Sequence, residues 1–163
     1  TMLAHMHQHG EGGDIDLPEA KRLYGLAAVQ GHAGAQVELG KMYHGGSGGP
    51  VDFPNARRFF ALAGAQGDAE AQTKLAEMHY RGEDGPINFV EARRLLASAV
   101  LQGQADAQVL LGEMHFRGEG GEVDMGKARR LLELAAARGH EKAPPLLDAI
   151  QKACDASAEA EEK

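Results

Sequence analysis

The chain repeats itself without a gap. The strings that begin at Ala33, Ala69 and Ala105 align residue for residue, which sets a period of 36, the step from 33 to 69 and from 69 to 105. They read AGAQVELGKMYHGGSGGPVDFPNARRFFALAGAQGD, AEAQTKLAEMHYRGEDGPINFVEARRLLASAVLQGQ and ADAQVLLGEMHFRGEGGEVDMGKARRLLELAAARGH. Residues 1–32 fit the same register but lack its first four positions, and residues 141–156 begin a further copy and then diverge. A fixed period in this range marks a stack of supersecondary units in which each copy buries its apolar face against the next.

Each copy predicts two helices. The first carries A-x-A-Q-x-x-L-[GA]-x-M, and in the copy at 33–68 its apolar residues are Ala35, Leu39, Met42 and Tyr43, which follow helical spacing. Gly40, Ala76 and Gly112 form one column of small residues that invites a neighbouring helix to approach closely. Gly46 and Gly49 punctuate the following loop, the first as a helix cap. The second helix is expected to start at Asp16, Asp52, Asn88 and Asp124, all favoured N-caps. Asp16 with Glu19 and Asn88 with Glu91 have the spacing of a capping box. Pro18 and Pro54 fall in the first turn, Ala56, Phe59, Phe60 and Ala63 form the buried stripe, and Gly31, Gly67, Gly103 and Gly139 close the helices.

The order L-G-x-x-[YH]-x-x-G, G-G-x-V-D, A-x-x-[aromatic/Leu]-[aromatic/Leu]-x-x-A and a closing Gly resembles the Sel-one-like repeats, relatives of the tetratricopeptide repeat. The resemblance covers about residues 1–140. It implies an all-α fold, a right-handed α/α superhelical solenoid whose first helices line a concave surface. It also implies an adaptor or scaffold role, as in bacterial signalling, envelope and host-interaction systems. The family's frequent Trp/Tyr pair is replaced by Leu23–Tyr24, Phe59–Phe60, Leu95–Leu96 and Leu131–Leu132. The disulfide-bearing members place paired cysteines in their repeats, whereas Cys154 is the only cysteine here. A single repeat domain is expected over 1–156, with a capping helix at 141–156 in which Asp148 occupies the small column and discourages further stacking. An acidic tail at 157–163 is expected to be disordered.

Composition narrows the partners. The net charge of −7 argues against non-specific nucleic-acid binding and against an anionic membrane surface. No apolar run approaches the ~20 residues of a membrane span. A cytoplasmic location is expected, with a periplasmic or secreted one open if an upstream signal was removed. The first helix begins partway through its repeat, so a longer array, or an oligomer stacked through that end, is a further expectation.

Apparent chemical motifs fall inside the repeat columns. Gly45-Gly46-Ser47-Gly48-Gly49 matches G-x-S-x-G, but a nucleophile elbow needs a preceding strand, and Ser47 shares its column with Glu11, Glu83 and Glu119. No catalytic residue and no cofactor are implied. His5 and His9 share a helix face at i, i+4 and are the weak metal candidates. His7, His79 and His115 share a column with Tyr43 and are expected to be packed, partly buried rings. The pairs Lys21–Arg22, Arg57–Arg58, Arg93–Arg94 and Arg129–Arg130 read as a solvated face on the second helices.

Function is expected where the copies differ, on one face of the first helices: Gly34, Glu38, Lys41 and Gly45, then Glu70, Lys74, Glu77 and Arg81, then Asp106, Leu110, Glu113 and Arg117, edged by His44, Tyr80 and Phe116. The candidate partner-binding residues are His44, Lys74, Glu77, Tyr80, Arg81, Leu110, Glu113, Phe116 and Arg117. Glu70–Lys74, Glu77–Arg81 and Glu113–Arg117 also have the spacing of ordinary i, i+4 pairs. The expected partner is a protein or peptide segment.

Overall fold

The computed structural model describes residues 1–10 and 14–161, with side chains through Ser157. Among these residues all regular structure is helical: α1 (Met2–His9), α2 (Leu17–Val29), α3 (Ala33–Gly45), α4 (Phe53–Ala65), α5 (Ala69–Arg81), α6 (Phe89–Leu101), α7 (Ala105–Arg117), α8 (Met125–Ala137) and α9 (Ala143–Glu161). The odd-numbered helices through α7 are the first helices of the repeats and the even-numbered ones the second. Every helix from α2 to α8 is 13 residues long. The chain divides into two compact units, Thr1–Ile87 and Asn88–Lys163, and the division falls between the two helices of the repeat at 69–104.

Local chemistry sets the helix ends. The side chains of Asp16, Asp52, Asn88 and Asp124 accept the backbone N–H three residues on, at 3.0, 3.0, 3.0 and 2.8 Å. Each satisfies one of the orphan donors of a helix N-terminus. The reciprocal half of the predicted capping box is not made at Glu19. Its carboxylate turns to Arg22, because the Asp16 N–H already donates to the His7 carbonyl at 2.8 Å. The same bond from N-cap to first helix joins Asp52 to Tyr43 and Asp124 to His115, both at 2.9 Å. It locks the loop of each of these repeats onto its own first helix. At the other end, α1, α3, α5 and α7 stop at Gly10, Gly46, Gly82 and Gly118, all left-handed with φ of 71–72°. A side chain at that φ would be strained.

Packing follows the stripes. In the first unit Ala4, Ala20, Tyr24, Ala35, Leu39 and Met42 belong to one core cluster, with Tyr43 and Phe59 packed on its flank. In the second unit Val109, Ala128, Leu132, Ala135, Ala143 and Ile150 form another, with Phe116, Leu146, Leu147 and Cys154 against it. The small column sets the spacing within a repeat. A Cβ on Gly40 would lie 2.6 Å from Phe60 Cε1, and one on Gly112 would lie 3.0 Å from Leu132 Cγ. In α9 that column holds exposed Asp148. α9 also continues to Glu161, past its predicted end at Ala156 and into the stretch expected to be a disordered tail.

Candidate functional site

The fixed polar columns are largely consumed by packing between consecutive repeats. Gln36 and Gln72 are buried at the start of α3 and α5, and their side-chain amides donate to the carbonyls of Ala28 and Gly64, at 3.1 and 3.0 Å. Those carbonyls lie in the last turn of the preceding helix, where Gly31 and Gly67 N–H also donate to them at 3.0 Å, and the glutamine amide takes their second lone pair. Gln66 then donates to Gln36 Oε1 at 2.7 Å. The A-Q motif is therefore a splice between repeats, a role that the sequence pattern marked only as a conserved column of copies.

The paired basic residues are not one solvated face. The second members Arg22 and Arg94 are exposed and pair with Glu19 and Glu91 three residues back, both at 2.6 Å. The first members reach forward into the next copy. Lys21 Nζ sits 3.9 Å from the Tyr43 ring centroid, Arg57 donates to the Asp84 carbonyl at 2.7 Å, and Arg129 donates to Gln151 Oε1 at 2.7 Å. Arg93 Nη2 donates to the carbonyls of Met114 and Glu122, both at 3.3 Å, and to His115 Nδ1 at 3.1 Å. Burial, followed by Arg93 and Lys127, holds the His115 imidazolium below the usual histidine range, with Asp124 opposing. His7, Tyr43, His79 and His115 are all half-buried, in line with packed rings.

The variable face of the first helices presents charge. In the first unit Lys41 bridges Glu38 on its own helix, at 2.8 Å, and Glu70 on α5. Burial opposes the Lys41 charge, but the hydrogen bonds to the two carboxylates outweigh it and raise its pKa above the ordinary lysine value. Two of the expected i, i+4 pairs are replaced. Glu70 turns to Lys41, Lys74 pairs with Glu77 at 3.2 Å, and Arg81 pairs with Glu83 at 3.6 Å. A residue on the adjacent helix or loop competes successfully with an intrahelical partner worth only about 0.2–0.5 kcal/mol. In the second unit Glu113 and Arg117 pair as expected, at 2.7 Å, and Leu110 is half-buried on the same helix.

The edging residues are engaged with their surroundings. His44 Nε2 donates to Glu83 Oε2 at 2.7 Å, across the boundary between the copies at 33–68 and 69–104, and its ring meets Phe53 edge-on. Tyr80 is half-buried on α5. Phe116 packs against the cluster of α8 and α9, so its ring is a structural contact in that unit and not a free interface anchor.

The remaining motifs are placed plainly. Ser47 lies in the turn after α3, with its backbone N–H on the Met42 carbonyl at 2.9 Å, and no strand precedes it. Glu11 of its column lies outside the described residues. His5 and His9 do share a face. Their rings stack with centroids 4.1 Å apart, and His9 Nδ1 donates to the His5 carbonyl at 3.0 Å. That use of Nδ1 and the stacking orient the two rings for each other. Among the described residues no three His, Cys, Asp or Glu side chains gather where they could share a metal ion, and no helix is long and apolar enough to cross a membrane.

Comparison with known proteins bears on this arrangement as a whole. The family model described as Sel1 repeat matches residues 1–32, 33–68, 69–104 and 105–140, the same four copies. A protective antigen of uropathogenic Escherichia coli, described as displaying an SLR fold, is 31% identical with a TM-score of 0.86 over 90% of this chain and 31% of its own. A Sel1 repeat protein from Oxalobacter formigenes is 26% identical, with a TM-score of 0.81 over 90% of this chain and 60% of its own. A third, from Klebsiella pneumoniae, shares the fold at 22% identity and a TM-score of 0.56, over 92% of this chain and 75% of its own. The chain thus spans less than two thirds of the length of the first two. No curated protein matches it.

Proposed function

Because the chain belongs to the Sel1 repeat family, whose members are generally protein-interaction scaffolds, we propose that it is a non-catalytic adaptor that holds a protein or peptide segment against its first helices. The observation that carries this reading is the division of labour among the columns. The repeated positions are taken up by caps, splices and core. The positions that vary between copies stay at least partly exposed within each unit: Lys41, Lys74, Glu77 and Arg81 on α3 and α5 in the first, and Leu110, Glu113 and Arg117 on α7 in the second. Ion pairs at the surface are worth about 0–1 kcal/mol each, and these half-buried ones keep water on at least one partner. A partner that offers better-placed charges can therefore exchange them at little cost.

The test is a pull-down with the full chain as bait, compared with a charge-reversed Lys74→Glu/Glu77→Lys/Arg81→Glu variant and, separately, Leu110→Asp. All four positions are at least partly exposed, so circular dichroism should show the helices intact. Proteins retained by the parent and lost from both variants support the reading. The same proteins recovered by folded variants would place binding elsewhere.

A further inference from the structure

Two copies of the repeat treat one slot differently. In the copy at 33–68 the flank between first and second helix is filled by an aromatic pair. Tyr43 and Phe59 stack with centroids 5.8 Å apart and planes 2° from parallel. Their two nearest cations are engaged: Lys21 lies over Tyr43, and the Arg58 guanidinium is 5.6 Å from the Phe59 centroid. In the copy at 105–140 the corresponding residues are His115, Leu131, Arg93 and Arg130. A histidine and a leucine cannot reproduce the stacked pair. A cavity of about 260 Å³ opens there, with Ala97, Val100, Leu111, His115, Leu131 and Leu134 around it. All belong to α6, α7 and α8, within the second unit.

The rim of this cavity is basic, and the repeat pattern shows why. Lys127 and Arg130 both line it. The column of Lys127 holds Glu19 and Glu91 in two other copies, where those carboxylates neutralise Arg22 and Arg94. Here the carboxylate is replaced by a second cation, so Arg130 loses its partner three residues back. Lys127 keeps Asp124 at 3.0 Å. Arg93 is committed to carbonyls and to His115 Nδ1, which leaves Nε2 to carry the proton of the neutral ring. An apolar cleft with a cationic edge thus stands out in a chain of net charge −7. Among the lining residues Leu134 is 51% exposed, an apolar side chain left half uncovered in its unit.

We propose that this cleft docks an acidic, leucine-bearing segment of a partner protein, distinct from any segment held on the first-helix face. An apolar side chain would cover Leu131 and Leu134, and a carboxylate one helical turn away would meet Arg130 and Lys127. The cavity is smaller than the roughly 300–1,000 Å³ of pockets that enclose a drug-sized ligand. It is sized for one or two side chains presented by a larger partner. Two cations beside an apolar floor suit a carboxylate beside an apolar residue, whereas a nucleic-acid backbone needs a longer run of phosphate contacts. Apolar anchorage supplies the binding free energy and the rim charges supply orientation and discrimination.

The probe is a fluorescein-labelled helical peptide with Leu and Glu one turn apart, together with the same peptide bearing Lys for Glu, titrated against the full chain by fluorescence anisotropy. Saturable binding of the Glu peptide and none of the Lys peptide is expected. Arg130→Glu and Leu134→Glu should each weaken it about tenfold or more, as for loss of an interface charge or anchor. Arg58→Glu, at the filled slot, and Lys74→Glu, on the first-helix face, should leave it unchanged. A plugged variant, His115→Tyr/Leu131→Phe, should lose binding while its helices stay intact. The proposal is overturned if the Glu peptide shows no saturable binding, if both peptides bind alike, or if Arg130→Glu binds as the parent does. It is also overturned if sedimentation shows that the chain self-associates through the cleft and that Arg130→Glu and Leu134→Glu abolish it, for the occupant is then a second copy.

Discussion

The repeats at 33–68 and 105–140 have the same helix boundaries relative to their period, the same capping chemistry and the same buried glutamine, Gln36 and Gln108, yet parts of their interiors are built from different materials. The first is aromatic. Phe60 fills the space over Gly40, and Tyr43 stacks on Phe59 beside it. The second is aliphatic. Leu132 covers Gly112, and the flank beside His115 and Leu131 stays open. The backbone plan is therefore specified by the ends of the helices and by one small column. Most core positions are shared, as Ala35 and Ala107, Leu39 and Leu111, Met42 and Met114, and Ala56 and Ala128 show, and the exchange is confined to a few bulky positions, where one copy closes a slot that another leaves open.

The largest expected effects come from the two central anchors. Phe60 and Leu132 are both essentially inaccessible to solvent. Truncation to Ala should cost about 3–5 kcal/mol at Phe60 and about 2–5 kcal/mol at Leu132, with the larger loss at the ring. Because repeat arrays lose stability copy by copy, amide hydrogen exchange resolves this better than a single melting curve. Protection should fall chiefly in α3 and α4 for Phe60→Ala, and in α7 and α8 for Leu132→Ala. Equal losses of protection throughout the chain from either variant would mean that the copies are not separable in this way.

The small column gives the next effect. Gly40→Ala places a methyl 2.6 Å from a rigid ring, whereas Gly112→Ala meets a leucine branch at 3.0 Å that can shift. Overpacking of this kind costs about 1–3 kcal/mol, and Gly40→Ala should lie at the upper end. A urea titration of both variants checks the order. A less stable Gly112→Ala would show that the aliphatic copy is the tighter of the two.

The reach of sequence reasoning follows the range of each interaction. Asp52, Pro54, Gly46 and Gly67 act within a turn of themselves, so helix starts and stops were legible in the period. The small column at Gly40 announces a close helix approach, but that Phe60 fills it is seen only in the packing. Arg57 and Arg93 were not. Their acceptors are the Asp84, Met114 and Glu122 carbonyls, backbone atoms that carry no side-chain signature and lie 27, 21 and 29 residues away. Lys74 was misassigned for a different reason. Glu70 and Glu77 both lie within a turn of it, and only the position of Lys41 on the preceding first helix decides which is left for it. Phe116 reads as an edge residue in the sequence because part of the cluster it packs against, Ala143 and Ile150, lies on α9, which departs from the repeat pattern. The cleft beside Leu131 was not legible, because the aromatic pair is missing from three copies, at His7 and Leu23, His79 and Leu95, and His115 and Leu131, and the sequence does not tell them apart.

Filling that cleft should stabilise the second unit. His115→Tyr/Leu131→Phe recreates the stacked pair, which is worth about 0.5–1.5 kcal/mol beyond the area it buries. Slower exchange of the α7 and α8 amides is the expected outcome. Unchanged or faster exchange would show that Val100 and Leu111 stand too close for two rings, and that the aliphatic copy cannot be converted by these two positions alone.

The smallest effect separates the copies by pH. The column that holds the Tyr43 ring in one copy holds the His115 imidazole in the other. Burial first, then Arg93 and Lys127, lower its folded pKa beneath the ordinary 6.5, with Asp124 opposing. The folded ring thus binds a proton less readily than the unfolded one, so stability rises with pH across this window. The contribution is fully present above about 6.5, the unfolded value for histidine, and is lost as pH falls through the lower folded value. Exchange protection in α7 should therefore decline on mild acidification in the parent, and less so in His115→Gln. A parent and variant that respond identically would mean that Asp124 compensates the two cations fully, and that the open slot is as indifferent to pH as the filled one.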